Sequence, residues 1–244
     1  MKYVNIESMH LSVIVPAYNE SKVLKANLMK TVSYLAKRKY SWEMVVVDDG
    51  SSDETFKIAK SLSNKHVRAF GLLENQGKGG ALKEGFAMAT GDYLIFMDAD
   101  LSVPLENIDK FLSQLKKFDV VIGSRRVSGS SIVVHQPLLR ETLGRVFTLL
   151  TKIFTSTNLA DYTCGFKGFT KSAGKKIFSA SIVKRWSYDA EIMFLAQRFG
   201  FSIKQVPVKW FNRIDSRVHL GDAVFTSLLD LIKIRIYALM GRYA

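Results

Sequence analysis

The chain has 244 residues, of which 48% are hydrophobic and 23% charged, a composition that argues against disorder and against several membrane spans. Its 35 Lys and Arg against 22 Asp and Glu give a net charge of +13, which indicates a polyanionic partner: phosphorylated substrates, anionic lipid headgroups or nucleic acid. The single cysteine, Cys164, excludes an intramolecular disulfide and, with a polar start that lacks signal-peptide features, favours a cytoplasmic location.

Strands and helices alternate in the first half of the chain. Short apolar runs predict strands at 11–15, 43–47, 67–72, 93–97 and 120–123. Helical spacing of apolar residues predicts helices at 23–35, 55–62, 81–89 and 104–117. Because each strand is followed by a helix, the connections cross over, so we expect a mostly parallel sheet flanked by helices. Ligands of such sheets bind beyond the carboxyl ends of the strands.

The second half is less regular. We expect a helix at 137–154, a loop at 161–166, a helix at 187–199, a strand at 203–210 and a C-terminal amphipathic helix at 223–240. No Pro/Ser/Gly-rich linker divides the chain. We therefore predict one globular domain at 1–217, with halves at 11–123 and 124–217, followed by a helical appendage at 218–244.

Acidic residues follow two of the predicted strands: Asp48 and Asp49 after the second, and Asp98 and Asp100 after the fourth. Residues two apart in an extended segment project to the same side, so Asp98 and Asp100 can offer oxygens to one cation. Since no His/Cys set has zinc spacing, Mg²⁺ or Mn²⁺ is the expected ion, and it would offset the charge of a diphosphate leaving group. The alternative is that these aspartates only cap turns.

The segment Gly77-Lys78-Gly79-Gly80 is a glycine-rich turn before a helix. It lacks the Lys-Ser or Lys-Thr ending of a phosphate loop, and the chain has no Gly-x-Gly-x-x-Gly, which disfavours an ATPase or a dinucleotide dehydrogenase. Amides at the start of a helix still bind anions, and Lys78 would add a charge to a diphosphate there. A plain flexible turn is the other interpretation.

Several motifs together resemble glycosyltransferase family 2, in particular its dolichyl-phosphate glucosyltransferase and polyprenyl-phosphate sugar synthase branch. They are Pro16-Ala17-Tyr18-Asn19-Glu20, Val47-Asp48-Asp49-Gly50-Ser51, Gln76 to Ala81, Asp98-Ala99-Asp100, Gly123-Ser124-Arg125, Thr163 to Lys167 and Arg185 to Asp189. The resemblance covers about residues 11–217. It implies the A-type nucleotide-diphospho-sugar transferase fold, with a nucleotide-binding first half and an acceptor-side second half. It also implies inverting transfer of a sugar to a lipid-linked phosphate, from UDP-glucose ahead of GDP-mannose.

The resemblance assigns site residues position by position. It implies that the nucleoside is framed by Pro16, Tyr18, Glu20, Val47, Asp48 and Asp49. Asp98, Ala99 and Asp100 would hold the diphosphate and the metal. Arg125 and Arg140 would bind the acceptor phosphate, while Arg213 would lie near the donor diphosphate. One departure concerns Ser102, which stands where related mannose synthases have glutamine and would be a weaker metal ligand.

Two stretches, 137–154 and 223–240, combine a broad apolar face with basic residues. Such helices lie in the headgroup region of membranes, so we expect a peripheral protein on the cytoplasmic face. Packing of both stretches on the sheet or on another subunit is the alternative. Other functions left open are a family 2 transferase with a soluble or polysaccharide acceptor and a non-catalytic basic module. Nucleic acid is not expected, because the acidic strand ends would repel its phosphates.

Overall fold

The computed structural model describes residues 9–62, 64–134, 138–211 and 220–243, and their side chains except those of 139, 140 and 220–225. The strands are β1 (His10–Ala17), β2 (Ser41–Asp48), β3 (Val67–Gly71), β4 (Tyr93–Met97), β5 (Val120–Ser124), β6 (Ser131–Val134), β7 (Phe166–Thr170), β8 (Ile203–Pro207) and β9 (Lys209–Phe211). The helices are α1 (Ser21–Leu35), α2 (Thr55–Ser61), α3 (Lys78–Met88), α4 (Asn107–Leu115), α5 (Leu138–Thr155), α6 (Lys171–Ala180), α7 (Tyr188–Arg198) and α8 (Leu220–Leu239).

The central sheet has seven strands in the order β3-β2-β1-β4-β7-β5-β8. All neighbouring pairs are parallel except those of β7, which runs antiparallel to both β4 and β5. The predicted mostly parallel sheet flanked by helices is thereby confirmed. Strands β6 and β9 form a separate two-stranded sheet. Because β1, β2, β4 and β5 point the same way, their carboxyl ends share one edge of the sheet.

Apolar residues on the two faces of the sheet form two core clusters. Alternate positions of one strand divide between them: Ile14 packs in one cluster, and Val13 and Val15 pack in the other. This division is what continuous apolar runs produce when a parallel sheet is covered on both sides. Leu231 and Ile234 of α8 belong to the first cluster, so this helix packs against the body of the protein.

Three details differ from the sequence predictions. Strands β6 and β7 and helix α6 were not predicted; the five residues of β7 include Lys167 and Gly168 and lack an apolar run. The single strand predicted at 203–210 is two strands in different sheets, separated after Pro207. Helix α3 begins at Lys78, so the two glycines that follow Lys78 lie inside its first turn. Among the described residues, no helix is long and apolar enough to cross a bilayer.

Candidate active site

The loops that follow β1 and β2 are tied together at the carboxyl edge. The Asn19 amide donates to Ser51 Oγ at 2.8 Å, and Asn19 Oδ1 accepts from the Ser52 amide at 2.9 Å. Asn19 adopts a φ of 54°, a left-handed conformation that asparagine tolerates better than most residues. The Glu20 amide donates to Thr55 Oγ1 at 2.7 Å. These bonds fix one wall of a cleft beyond the sheet.

The residues assigned to the nucleoside lie along this wall with different accessibility. Pro16 and Val47 are buried, whereas Tyr18 is 43% exposed. Asp48 is buried; its Oδ2 accepts from the Ser51 amide at 3.1 Å, and its Oδ1 has no hydrogen-bond partner among the described residues. A buried oxygen without a partner is costly, and Oδ1 of Asp48 is enclosed by the protein here.

Asp49 holds the glycine turn. Its Oδ1 accepts from the Gln76 amide at 2.8 Å, and its Oδ2 accepts from the Gly77 amide and from Asn75 Nδ2, both at 2.9 Å. Burial raises the pKa of Asp49, although the two amide bonds oppose that shift. Since the carboxylate is only 2% exposed and bonded on both oxygens, it positions residues 75–77 instead of facing the cleft.

The segment 183–188 packs directly on this turn. Gly77 has a φ of 89°, and a Cβ there would lie 2.7 Å from the Lys184 carbonyl oxygen. That same carbonyl accepts from the Gly80 amide at 3.1 Å, and Lys184 Nζ donates to Gln76 Oε1 at 2.8 Å. The two motifs at 76–81 and 185–189, which are more than 100 residues apart, therefore form one structure.

Asp98 directly follows β4 and lies between Lys78 of α3 and Gly165. Lys78 Nζ forms an ion pair with its Oδ1, and both side chains are about one-third exposed. On its other side the carboxylate fills the space above Gly165, where a Cβ would lie 2.6 Å from Oδ1 and closer still to Oδ2. Although burial lowers the pKa of Lys78, the charge of Asp98 raises it above its usual value, which keeps the ammonium protonated.

Asp100 is held by its own turn. Its Oδ1 accepts from the Ser102 amide at 2.8 Å and its Oδ2 from Ser102 Oγ at 2.7 Å, so the serine orients the carboxylate. Leu101 has a φ of 56°, which bends the chain sharply here. Asn27 Nδ2 of α1 donates to the Ala99 carbonyl at 2.9 Å and anchors the middle of the motif.

The oxygens of Asp98 and Asp100 are hard donors of the kind that Mg²⁺ and Mn²⁺ take, and each carboxylate retains lone pairs beyond the bonds described. In the part of the chain that the structure describes, no group of three or more His, Cys, Asp or Glu residues is placed to hold a metal ion. The residues thus fit a divalent cation whose remaining ligands come from a bound diphosphate and water.

Arg125 follows β5, and one edge of its guanidinium is bonded to Asp161. Its Nε and Nη2 donate to the two carboxylate oxygens at 2.7 and 2.8 Å, and its amide donates to Oδ2 at 3.0 Å. Nη2 also donates to Thr163 Oγ1 at 2.7 Å. Burial alone would raise the pKa of Asp161, but the bonds and charge of Arg125 lower it to about 2. Nη1 makes no hydrogen bond within the described residues.

Two further buried acids, Asp189 and Glu191, bind partners inside the protein. Asp189 pairs with Lys167, a fully buried lysine of β7 whose Nζ also donates to the Cys164 carbonyl at 2.7 Å. Glu191 accepts from the amides of residues 182 and 183 and from Tyr243 Oη at 2.6 Å. Together with Asp161, each of these acids positions a loop or a cation.

Two of the predicted arginines lie at or beyond the limit of the described structure. Arg140 is in α5, but its side chain is outside the described part, and Arg213 lies outside the described residues.

The sequence analysis missed Arg126, whose Nη1 donates to Thr148 Oγ1 of α5 at 2.6 Å. Burial lowers the pKa of Arg126, and the neighbouring charge of Arg125 lowers it further. The adjacent pair of arginines after a strand was the available signal.

With this geometry in place, the comparisons with known proteins are decisive. The family model described as Glycosyl transferase family 2 matches residues 12–178, more than half of the chain. This chain belongs to glycosyltransferase family 2. It is therefore a glycosyltransferase, which sets aside the non-catalytic alternative.

The curated relatives of this family 2 enzyme point to one branch. The dolichyl-phosphate beta-glucosyltransferase of Dictyostelium discoideum is 32% identical over 251 residues, covering 97% of this chain and 77% of the relative. The enzyme of the same description from Saccharomyces cerevisiae is 33% identical, with coverage of 97% and 77%. The human one is also 33% identical, with coverage of 96% and 77%.

Solved structures confirm the predicted A-type glycosyltransferase fold. Mannosyl-3-phosphoglycerate synthase from Rubrobacter xylanophilus superposes with a TM-score of 0.72 at 16% identity, covering 96% of this chain and 75% of that one. Glucosyl-3-phosphoglycerate synthase from Mycobacterium tuberculosis, solved with Mn²⁺, UDP and its product, gives 0.63 at 20% identity, covering 96% and 80%.

Proposed function

We propose that this enzyme transfers a sugar, with glucose favoured, from a nucleotide diphosphate sugar to dolichyl or polyprenyl phosphate at a membrane surface. One observation carries the proposal: the segment 161–165 touches both halves of the site. Thr163 accepts a bond from Arg125, and Gly165 packs beneath Asp98. An anion-binding arginine and a cation-binding aspartate thus lie at the two ends of one short segment.

On the donor side, the nucleoside lies against the wall formed by the β1 and β2 loops, with Tyr18 exposed at its rim and Asp48 buried within the wall. Asp98 and Asp100 would hold Mg²⁺ or Mn²⁺, and the ion would supply positive charge to a diphosphate leaving group. Lys78 lies next to Asp98 and adds a second positive charge there. Asp49 and Ser102 act by orienting the glycine turn and Asp100, and Arg213 completes the proposed diphosphate contacts.

On the acceptor side, Nη1 of Arg125 binds a phosphate oxygen while the rest of the guanidinium stays locked on Asp161. Arg140 contributes a second phosphate contact in this proposal. A phosphate monoester has a second pKa near 6, so at neutral pH its oxygen attacks without a protein base. Because Asp161 and Asp189 are both engaged by cations, a single displacement with inversion is the mechanism that best fits the side chains.

Glucose is favoured over mannose, and UDP-glucose over GDP-mannose, because the relatives at 32–33% identity over most of the chain are described as dolichyl-phosphate beta-glucosyltransferases. The cytoplasmic face of the membrane is part of the proposal.

The test is a sugar-transfer assay with purified protein. Radiolabelled UDP-glucose and GDP-mannose are offered separately with a polyprenyl phosphate, with Mn²⁺ or with a chelator. We expect label from UDP-glucose in the lipid fraction, only in the presence of metal. Label appearing instead in a soluble or polysaccharide acceptor, or undiminished transfer in chelator, would contradict the acceptor or the metal part of the proposal, respectively.

A further inference from the structure

Helix α5 exposes an aliphatic stripe to solvent, although its other side already packs Phe147, Leu150 and Phe154 against the core. Its buried side carries the hydroxyl residues Thr148, Thr151 and Thr155. Its outward side carries Val146, Leu149 and Ile153, which are 47%, 59% and 65% exposed. A surface helix normally buries its aliphatic stripe and exposes polar side chains. The arrangement therefore needs an explanation other than packing on the sheet.

Helix α8 also exposes an aliphatic stripe, although Leu231 and Ile234 on its inner side pack in the core. Ser227 and Asp230 are also buried, and five of the exposed residues are aliphatic: Leu228, Leu229, Ile232, Ile236 and Leu239, of which the last is 83% exposed. The two helices pack against each other. We call Val146, Leu149 and Ile153 together with these five residues the α5–α8 face. It exposes on the order of several hundred Å² of aliphatic surface, which is the range of interaction sites.

The inward hydrogen bonds fix this orientation. Thr148 Oγ1 accepts from Arg126, and Thr155 Oγ1 donates to the Thr151 carbonyl at 2.6 Å and lies 2.6 Å from Thr157 Oγ1. Rotating α5 to bury its aliphatic side would break the bond to Arg126. The exposed apolar stripe is thus stable in the folded protein and is not relieved by turning the helix.

Charge decides which partner covers the face. Every exposed charged side chain that the structure describes on α5 and α8 is a cation: Arg145, Lys233 and Arg235. The described acidic residue of α8, Asp230, is buried. A second copy of the chain would bring these cations against their own counterparts, whereas anionic lipid headgroups complement them.

We propose that the α5–α8 face docks on a bilayer that contains anionic lipids, with its aliphatic side chains in the acyl boundary and its cations among the headgroups. This inference rests on the proposed function, since it identifies the surface by which the enzyme meets a lipid acceptor. The inner side of α5 contacts Arg126, which is next to Arg125 in the chain. When α5 is docked, the membrane therefore lies one helix thickness, about 10 Å, from the acceptor end of the site.

The test is flotation of the whole protein with vesicles of phosphatidylcholine alone or mixed with phosphatidylglycerol. The test variant combines Leu149→Gln, Ile153→Gln, Ile232→Gln and Ile236→Gln, all at outward positions, so the core is untouched. Met29→Gln is the matched control, because Met29 is 52% exposed on α1. We expect wild type and control to float with the anionic vesicles, and the variant to partition at least tenfold more weakly.

Undiminished flotation of the quadruple variant, or absence of wild-type flotation, would overturn the proposal. So would a wild-type dimer in sedimentation that the same variant dissociates, because the occupant would then be a second copy. Transfer to a short, water-soluble prenyl phosphate separates the two proposals. The variant keeps that activity if only docking is lost, whereas wild type that floats but transfers sugar to no prenyl phosphate contradicts the proposed function alone.

Discussion

Replacing Gly165 with alanine places a methyl group where the carboxylate of Asp98 now lies. The new Cβ would be 2.6 Å from Oδ1, and ordinary contact needs about 3.4 Å, so the carboxylate has to move by about 1 Å or more. Gly165 is not among the glycines with positive φ, so its backbone accepts alanine without strain. The perturbation therefore acts on the position of Asp98 and leaves the fold intact.

A displacement of 1 Å in a catalytic group costs on the order of 100-fold in rate, which is about 2.7 kcal/mol of barrier. We expect Gly165→Ala to lower kcat/KM for UDP-glucose by about 100-fold in the transfer assay while its melting temperature stays close to that of wild type. Gly200→Ala is the opposite control. Gly200 has a φ of 75° and open space around its Cβ position, so alanine costs about 1 kcal/mol of stability and leaves turnover unchanged. A loss of less than fivefold for Gly165→Ala would refute the role of Asp98.

Two further substitutions test the groups that position the site. Asp161→Asn removes a carboxylate whose pKa is lowered to about 2, worth roughly 2 kcal/mol, so urea unfolding should show that loss at pH 7. Because the pKa of Asp161 is lowered in the folded protein, the difference in unfolding free energy between wild type and variant should be constant above pH 5 and shrink as the pH falls from 4 towards 2. A difference that does not change with pH would contradict the ion pair with Arg125. Tyr243→Phe removes the bond to the buried Glu191, and we expect it to cost about 1.5 kcal/mol of stability and to raise the KM for the donor. Tyr237→Phe on α8 is the control. Its hydroxyl does not donate to Glu191, so we expect neither effect. Equal melting temperatures for these two variants would contradict the coupling.

The position of Asp48 and Asp98 at one edge of the sheet was predictable from sequence because it depends on local patterns. Apolar runs that end in aspartate at Asp48 and Asp98 identify buried strands, and the alternation with helices makes those strands parallel. The carboxyl ends of parallel neighbours then meet at one edge, whatever the details of the loops. The structure brings the β1, β2 and β4 ends together as this argument requires.

The missed strand β7 depends on contacts that sequence does not reveal. Lys167 is fully buried in the middle of the sheet, and a lysine inside a strand normally argues for exposure. It is tolerated because Asp189, 22 residues further on, and the Cys164 carbonyl neutralise and bind its ammonium group. Because those partners lie outside the strand, the five residues of β7 by themselves show no apolar run that would predict it.

The roles of the remaining acids were also set by long-range partners. Asp49 was expected to face the nucleoside, yet its carboxylate holds amides 27 and 28 residues away. Asp161 and Arg125 are 36 residues apart, and the guanidinium of Arg125 donates to both carboxylate oxygens of Asp161 and to Thr163. Sequence supplies the charged residues at loop positions, whereas the pairing among them follows from how β5, β7 and α7 pack.

The central claim is that Asp98 and Asp100 bind a divalent cation together with the nucleoside diphosphate. Calorimetric titration of UDP into the protein, with and without Mn²⁺, measures this directly and does not depend on turnover. We expect Mn²⁺ to strengthen UDP binding at least tenfold in wild type, and to have no effect in the Asp100→Asn variant. Equal affinities for UDP with and without Mn²⁺ in wild type, or an unchanged Mn²⁺ effect in the variant, would contradict the claim.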